Sequence, residues 1–169
     1  EAVLESQFGR TQGAVVVADE LPELDLESIK NNEKSLILAL DGVEDPNNLG
    51  AILRTAWLMG VNGVLLPQDR SVGLTPSVHK VASGGVEHVM VYYSNQFSQV
   101  FEQLKQYGFW VYGMSNDGKS NLFEQKFHDK VVFVLGGEDS SLRTSTQKSC
   151  DELLKSPQIN TDASYNVSV

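Results

Sequence analysis

The 169-residue chain is poor in cysteine and in positive charge, with one cysteine, Cys150, and 13 basic residues against 22 acidic ones. A single cysteine excludes a disulfide framework and a cysteine zinc cluster, and it fits a reducing compartment. The net charge of −9 argues against a nonspecific nucleic-acid binder, whose affinity comes from lysine and arginine on phosphates. No apolar run reaches the roughly 18 residues of a membrane span, and no signal-peptide pattern opens the chain. We therefore expect a cytoplasmic protein with no membrane partner.

The common phosphate and metal motifs are also missing from the sequence. The first apolar strand pattern is not followed by G-x-G-x-x-G, and the chain has no G-x-x-x-x-G-K-[ST]. The three histidines, His79, His88 and His128, are scattered without the spacing of metal ligands. We therefore expect no bound metal, and we expect Cys150 to be a small buried apolar residue.

The acidic residues are concentrated at the start of the chain. The first 50 residues hold 11 of the 22 acidic residues but only 3 of the 13 basic ones. Within them, "ADELPELDLESIKNNEK" (residues 18–34) has the composition of a solvated connection. We therefore divide the chain into an acidic linker segment at 1–34, following an absent amino-terminal domain, and one compact domain at 35–169.

From Ser35 onward, short apolar runs alternate with helical patterns. The predicted strands are "SLILALDG", "GVLLPQ", "HVMVYY", "FWVYGMS" and "VVFVLGGE", followed by a short "LLKSPQ". The predicted helices are "NLGAILRTAWLMG", "TPSVHKVASGG", "NQFSQVFEQLKQYG" with Asn95 as its cap, and "SSLRTSTQKSCDEL". This order is typical of βαβ units, so we predict an α/β fold with a mostly parallel sheet and helices on both faces.

Three loops that follow predicted strands are rich in polar residues and glycine: "DGVEDPNNLG", "LGGEDSSLR" and "QINTDASYNVSV". Ligand sites of open α/β sheets form at the carboxyl ends of strands, so these loops are the candidate site. By itself, the turn at Asp45 is equally well explained as a helix cap. Arg54 favours a site, because it lies off the apolar stripe of its helix, on the first turns, where a guanidinium can bind a phosphate.

The spacing of these residues resembles the SpoU (TrmH-like) family of the SPOUT RNA methyltransferases. "DPNNLGAILRTA" fits the first family motif, D-P-x-N-x-G-x-x-x-R-x-A, without a gap. "VLGGEDSSLR" is similar to the second motif, V-x-G-x-E-G-x-G-x-R, and "SYNVSV" is similar to the third, S-L-N-V-S-V. The three motifs come in the family order, and the resemblance extends over nearly all of residues 35–169.

The resemblance implies a trefoil-knotted domain that binds S-adenosylmethionine, forms a homodimer and methylates a ribose 2′-hydroxyl of ribosomal or transfer RNA. The family has a further helix after the third motif, so the knot could be incomplete in this chain. By resemblance, the catalytic residues are Arg54, Asn48, Glu138, Ser164 and Asn166, with Arg54 acting in a site shared with a neighbouring subunit. The corresponding cofactor-binding residues are Gly136, Gly137, Ser156, Gln158 and Tyr165.

The chain departs from the family pattern in its second and third motifs. Asp139 and Ser141 stand at glycine positions, Ser156 and Asn160 replace an apolar residue and a glycine, and Tyr165 replaces a leucine. These changes leave a second hypothesis open, in which the chain is a catalytically silent homologue that acts as an RNA- or protein-binding module. Binding of S-adenosylmethionine separates the two hypotheses.

Overall fold

Strands and helices alternate along the chain in the order that the apolar pattern predicts. The computed structural model describes residues 21–69, 71–137, 142–159 and 165–169. Within them the strands are β1 (Ser35–Asp41), β2 (Gly63–Leu66), β3 (Val91–Tyr93), β4 (Trp110–Met114), β5 (Ser120–Asn121), β6 (Lys130–Gly136) and β7 (Glu152–Lys155). The helices are α1 (Pro46–Leu58), α2 (Pro76–Ala82), α3 (Gly85–His88), α4 (Phe97–Gln106) and α5 (Thr144–Ser149).

All seven of these strands are parallel and form one sheet in the order β3-β2-β1-β6-β4-β7-β5. The strands β2 and β3 lie on one side of β1, in chain order. The later strands lie on the other side of β1, where β6 is inserted between β1 and β4. The ladder between β1 and β6 runs from Ser35 beside Lys130 to Asp41 beside Gly136. The predicted fold class is therefore confirmed, and the carboxyl ends of β1, β6, β4 and β7 are neighbours at one edge.

Helices cover both faces of this sheet, because alternate residues of each strand point to opposite sides. Leu40 of β1 belongs to a buried cluster with Leu53 of α1, which α2 and α3 complete. Ile37, three residues earlier on β1, belongs to a separate cluster with Phe101 of α4. Each fully buried aliphatic or aromatic side chain contributes about 1.5–3 kcal/mol to the free energy of folding. These two cores fix the sheet edge that carries the candidate site.

The helix α1 begins at Pro46, two residues earlier than the sequence predicts. The carboxylate of Asp45 caps it by accepting a hydrogen bond from the backbone N–H of Asn47 at 2.8 Å. Proline is favourable at the first helical position, since its missing N–H would have no partner there. The helix-cap interpretation of this turn is therefore confirmed, whatever else the segment does.

Two further helix boundaries differ from their predictions. The helix α4 has Gln96 as its N-cap residue and no side-chain capping bond. The predicted cap, Asn95, instead donates from Nδ2 to Oδ2 of Asp69 at 2.7 Å. The helix α5 is six residues long, shorter than predicted, because the backbone is already extended at Cys150. Within the described ranges, no helix has both the length and the apolar character needed to cross a membrane.

Residues 21–34, assigned above to the acidic linker, contact the domain. Leu24, Leu26 and Ile29 are buried in the same cluster as Phe101. A β-carbon on Gly63 of β2 would lie 2.6 Å from Cδ2 of Leu24, so the segment packs directly on the sheet. The division at residue 34 stays a prediction. The trefoil knot also stays a prediction, since residues 160–164 lie outside the described residues.

Candidate functional site

The two first-motif residues lie on α1 in different environments. Asn48 is 6% exposed and engaged by other groups of the protein, whereas Arg54 is exposed to solvent. Arg54 is the ninth of the 13 residues of α1, so it lies on the third turn and the prediction of the first turns is wrong. Among the described residues, the side chain of Arg54 has no hydrogen-bond or ion-pair partner. Its guanidinium can therefore bind an anion that approaches from outside this chain.

The second motif starts within β6 and leaves the sheet at Gly137. Gly136 pairs in register with Asp41, the last residue of β1, and Gly137 follows it at the sheet edge. Both glycines are partly buried. The candidate catalytic residue Glu138 lies outside the described residues, as do Asp139 and Ser141.

Arg143, the last residue of the second motif, is bound to the end of β1. Its guanidinium contacts Oδ1 of Asp41 through two nitrogens, and its backbone N–H donates to Oδ2 of the same carboxylate at 3.2 Å. The Asp41 side chain is 0% exposed, and that of Arg143 is 42% exposed. A buried carboxylate is tolerated only when it is paired and hydrogen-bonded, and this one is both.

The third motif contacts the segment that follows β7. The Tyr165 hydroxyl donates a hydrogen bond to the carbonyl oxygen of Pro157 at 3.3 Å. Pro157 lies between the two partly buried candidate residues Ser156 and Gln158. Tyr165 and Asn166 are exposed, and Ser164 lies outside the described residues.

The third motif also returns to the core beside the first. Val167 packs against the buried cluster that contains Val43 and Leu49. Val43 lies in the loop before α1, and Leu49 lies on the first turn of that helix. Asn166 accepts hydrogen bonds from the backbone N–H of Ser168 at 2.9 Å and from its hydroxyl at 2.6 Å. The amide of Asn166 is thereby held on a short turn next to the first motif.

The structure thus places candidate residues from two strand ends at the same edge of the sheet. Gly136 ends β6 and Gly137 follows it, Ser156 and Gln158 follow β7, and Tyr165 bonds to Pro157 between the latter two. Arg54 is bound to none of these residues, so it is not joined to the group within this chain.

Sequence reasoning missed Asp41 and Ser115 as residues of this edge. Ser115 follows β4, is 8% exposed, and donates its backbone N–H to Leu154 of β7 at 2.8 Å. Its hydroxyl accepts from the N–H of Asp117 at 3.2 Å. The sequence carried one signal for Asp41, its place at the end of an apolar strand. A carboxylate there becomes buried when the strand packs, and a buried carboxylate needs a partner.

The only cysteine is not poised for nucleophilic chemistry. Burial raises the pKa of the Cys150 thiol to about 12, and the nearby Lys105 opposes this shift only in part. Its sulfur lies 3.3 Å from the carbonyl oxygen of Thr146. In the part of the chain that the structure describes, no three side chains of the metal-binding types come together as a site.

Residues 35–169 match the sequence model of the SpoU rRNA Methylase family. Two curated relatives are named 23S rRNA (guanosine-2'-O-)-methyltransferase RlmB. The one from Neisseria meningitidis is 40% identical over 97% of this chain and 67% of its own length. The one from Nitrosomonas europaea is 42% identical over 81% of this chain and 53% of its own length. The chain thus spans about half to two thirds of these relatives.

A solved structure with a similar fold is the AdoMet-bound rRNA methyltransferase from Sinorhizobium meliloti. It aligns with a TM-score of 0.83 over 99% of this chain and 65% of that chain, at 23% sequence identity. At this identity the likeness bears on the fold alone. The matched region includes all the strand ends that form the candidate site.

Proposed function

The chain belongs to the SpoU rRNA methylase family, and from this premise we propose that it transfers a methyl group from S-adenosylmethionine to a ribose 2′-hydroxyl of RNA. The names of the two relatives favour a guanosine of 23S ribosomal RNA as the substrate. The observation that carries the proposal is that the parallel sheet places the end of β6, with Gly136, and the segment after β7, on which Tyr165 is bonded to Pro157, at the same edge.

The residues at this edge fit a nucleoside-containing cofactor in their chemistry. Gly136 and Gly137 offer backbone groups without a covering side chain, and Ser156 and Gln158 offer a hydroxyl and an amide from partly buried positions. Tyr165 offers an exposed aromatic ring on which a base can stack. When bound, S-adenosylmethionine supplies a methyl group on a positively charged sulfonium. We assign its binding to these five residues.

The catalytic role of Arg54 is electrostatic in this proposal. A ribose 2′-hydroxyl is a weak nucleophile, and transfer develops negative charge on its oxygen. The guanidinium is always protonated, so it stabilises that oxygen and binds the adjacent phosphate without abstracting the proton. The exposure of Arg54 and its lack of a partner among the described residues support this role.

The remaining catalytic assignments concern orientation of the reacting groups. We assign to Asn48 and Glu138 the positioning of the first- and second-motif loops, and to Ser164 and Asn166 the orientation of the ribose or of the methionine part of the cofactor. The short turn that holds the Asn166 amide supports its part in this scheme. Accurate positioning matters because reacting atoms must be held about 3–3.5 Å apart and in line.

The functional unit in this proposal is a homodimer in the cytoplasm. Arg54 lies on the third turn of α1 and is bound to no other candidate residue, so it serves the site of a neighbouring copy. A twofold interface gives each site one such arginine. The cytoplasmic location in this proposal follows from the ribosomal RNA substrate that the names of the relatives favour.

Calorimetric titration with S-adenosylmethionine tests the proposal. We expect a dissociation constant in the micromolar range for the full-length protein, which corresponds to about 8 kcal/mol. Absence of binding at millimolar cofactor, with RNA binding retained, would instead support the catalytically silent binding module. This second candidate function is kept because Ser156 and Tyr165 stand in place of apolar family residues.

A further inference from the structure

We infer that the Asp41–Arg143 pair is a positioning device for the cofactor-binding backbone at Gly136 and Gly137. The inference rests on the proposed function and assigns a role to two residues outside the proposed binding and catalytic set. Asp41 contacts the second motif at two points. Its backbone pairs with Gly136 in the ladder between β1 and β6, and its carboxylate pairs with the side chain of Arg143.

The first contact fixes where the motif leaves the sheet. Asp41 and Gly136 are the last paired residues of the seven-pair ladder between β1 and β6. The Asp41 backbone therefore aligns the end of β6, and Gly137 is the first residue beyond it. A displacement of Asp41 moves the point at which the glycines leave the sheet.

The second contact fixes where the motif ends. The Asp41 carboxylate accepts the backbone N–H of Arg143 and pairs with its guanidinium. Leu142, the preceding residue, is 3% exposed, and its Cδ1 would lie 2.8 Å from a β-carbon on Gly113 of β4. The backbone at Leu142 and Arg143 is thus held by an ion pair on one side and by core packing on the other.

One carboxylate therefore joins the two ends of the motif. Fixing both ends of a segment before a ligand arrives lowers the conformational entropy that binding must remove. We expect loss of the pair to weaken binding of the cofactor more than it weakens the fold. A role limited to stability would affect both in proportion.

The chain offers a matched control at the opposite edge of the sheet. Asp151 pairs with Lys105 at 2.9 Å, and its carboxylate also accepts the backbone N–H of Val111 at 2.8 Å. Like Asp41, Asp151 binds one cation and one backbone N–H. It precedes β7 and pairs with the start of β4, so it lies at the amino ends of the strands.

The test compares Asp41→Asn with Asp151→Asn in the full-length protein. Melting temperature is measured for both, and the dissociation constant for S-adenosylmethionine is measured by calorimetry. We expect Asp41→Asn to raise the dissociation constant about tenfold, which corresponds to about 1.4 kcal/mol, and Asp151→Asn to leave it unchanged. Equal dissociation constants for Asp41→Asn and the wild-type protein, or equal increases in both variants, would overturn the inference.

Variants at Arg143 keep the test decisive if Asp41→Asn does not fold. Arg143→Gln is expected to repeat the loss of affinity, and Arg143→Lys to restore part of it, since lysine keeps the charge but not the two-nitrogen contact. Hydrogen exchange without cofactor provides a separate reading: the backbone amides of Gly137 and Arg143 should exchange faster in Arg143→Gln. Unchanged exchange at both amides contradicts the inference. Failure of the wild-type protein to bind cofactor contradicts the proposed function instead, and the exchange result still decides on the pair.

Discussion

Gly50 of α1 and Val81 at the end of α2 lie so close that a β-carbon on Gly50 would come within 2.6 Å of the Val81 β-carbon. The same added atom would lie 3.0 Å from the Val78 carbonyl oxygen. Gly50 is the glycine of the first motif, so the packing of α2 on α1 is sufficient to explain it. This glycine permits a helix contact and needs no contact with cofactor or RNA.

Gly50→Ala is expected to destabilise the protein. Helix propensity alone predicts the opposite sign, since alanine is favoured over glycine within a helix by about 1 kcal/mol. Overpacking against the Val81 side chain and the Val78 carbonyl of α2 costs about 1–3 kcal/mol and outweighs that gain. Urea unfolding monitored by circular dichroism gives the sign directly. A variant more stable than the wild-type protein would show that the two helices separate at little cost.

Arg54→Ala is expected to leave the fold intact and to reduce methyl transfer by a factor of about a hundred or more, the usual effect of removing one preorganised donor. The side chain is exposed and opens no cavity when it is removed. Lys80→Ala, an exposed cation on the adjacent helix α2, is the matched control and should retain activity. Similar rates for Arg54→Ala and Lys80→Ala would remove Arg54 from the catalytic set.

Mixing two inactive variants tests whether Arg54 acts across a dimer. Arg54→Ala and Asn166→Ala chains, refolded together, would form mixed dimers in which one of the two sites has both residues. Random pairing should then recover about a quarter of wild-type activity per chain. If Arg54 acts in the site of its own chain, the mixture should recover no activity. Light scattering tests the dimer itself, and monomers alone at tens of micromolar would contradict it.

The Cys150 thiol is expected to resist alkylation in the native protein. Its pKa is raised from 9.0 to about 12 by burial, so at pH 8 very little thiolate is present. The folded state holds this proton more tightly than the unfolded state, so the thiol's contribution to stability is complete below pH 9 and lost as the pH rises toward 12. Reaction with iodoacetamide at pH 8 should be slow until denaturant is added. Rapid labelling of the native protein would mean that Cys150 is accessible.

The sequence predicted most of the sheet because the strands are short apolar runs bounded by glycine and polar turns. "SLILALDG" predicts β1 to within one residue of Asp41. Helix starts were harder to predict, since the choice between Asn95 and Gln96 depends on whether Asp69, 26 residues away, binds the asparagine first. Such competition between local and distant partners leaves no periodic signal.

The site could be predicted only through its local segments. The motif at Asp45 to Ala56 identifies Asn48 and Arg54 because both lie on one helix, so their spacing along the chain sets their positions in space. The pairing of Asp41 with Arg143 joins residues 102 positions apart and depends on β6 entering the sheet next to β1. Nothing in the spacing along the chain indicates that insertion, so the pair emerges only from the three-dimensional arrangement.

The measurement closest to the central claim is the chemical position of a transferred methyl group. The full-length protein is incubated with methyl-labelled S-adenosylmethionine and 23S ribosomal RNA, and the RNA is then hydrolysed in alkali. A methyl group on the 2′-oxygen blocks cleavage of the next phosphodiester, so the label should be found in alkali-resistant dinucleotides that begin with guanosine. Label recovered in mononucleotides would mean base methylation, and no incorporation by a protein shown to bind cofactor and RNA would contradict the account.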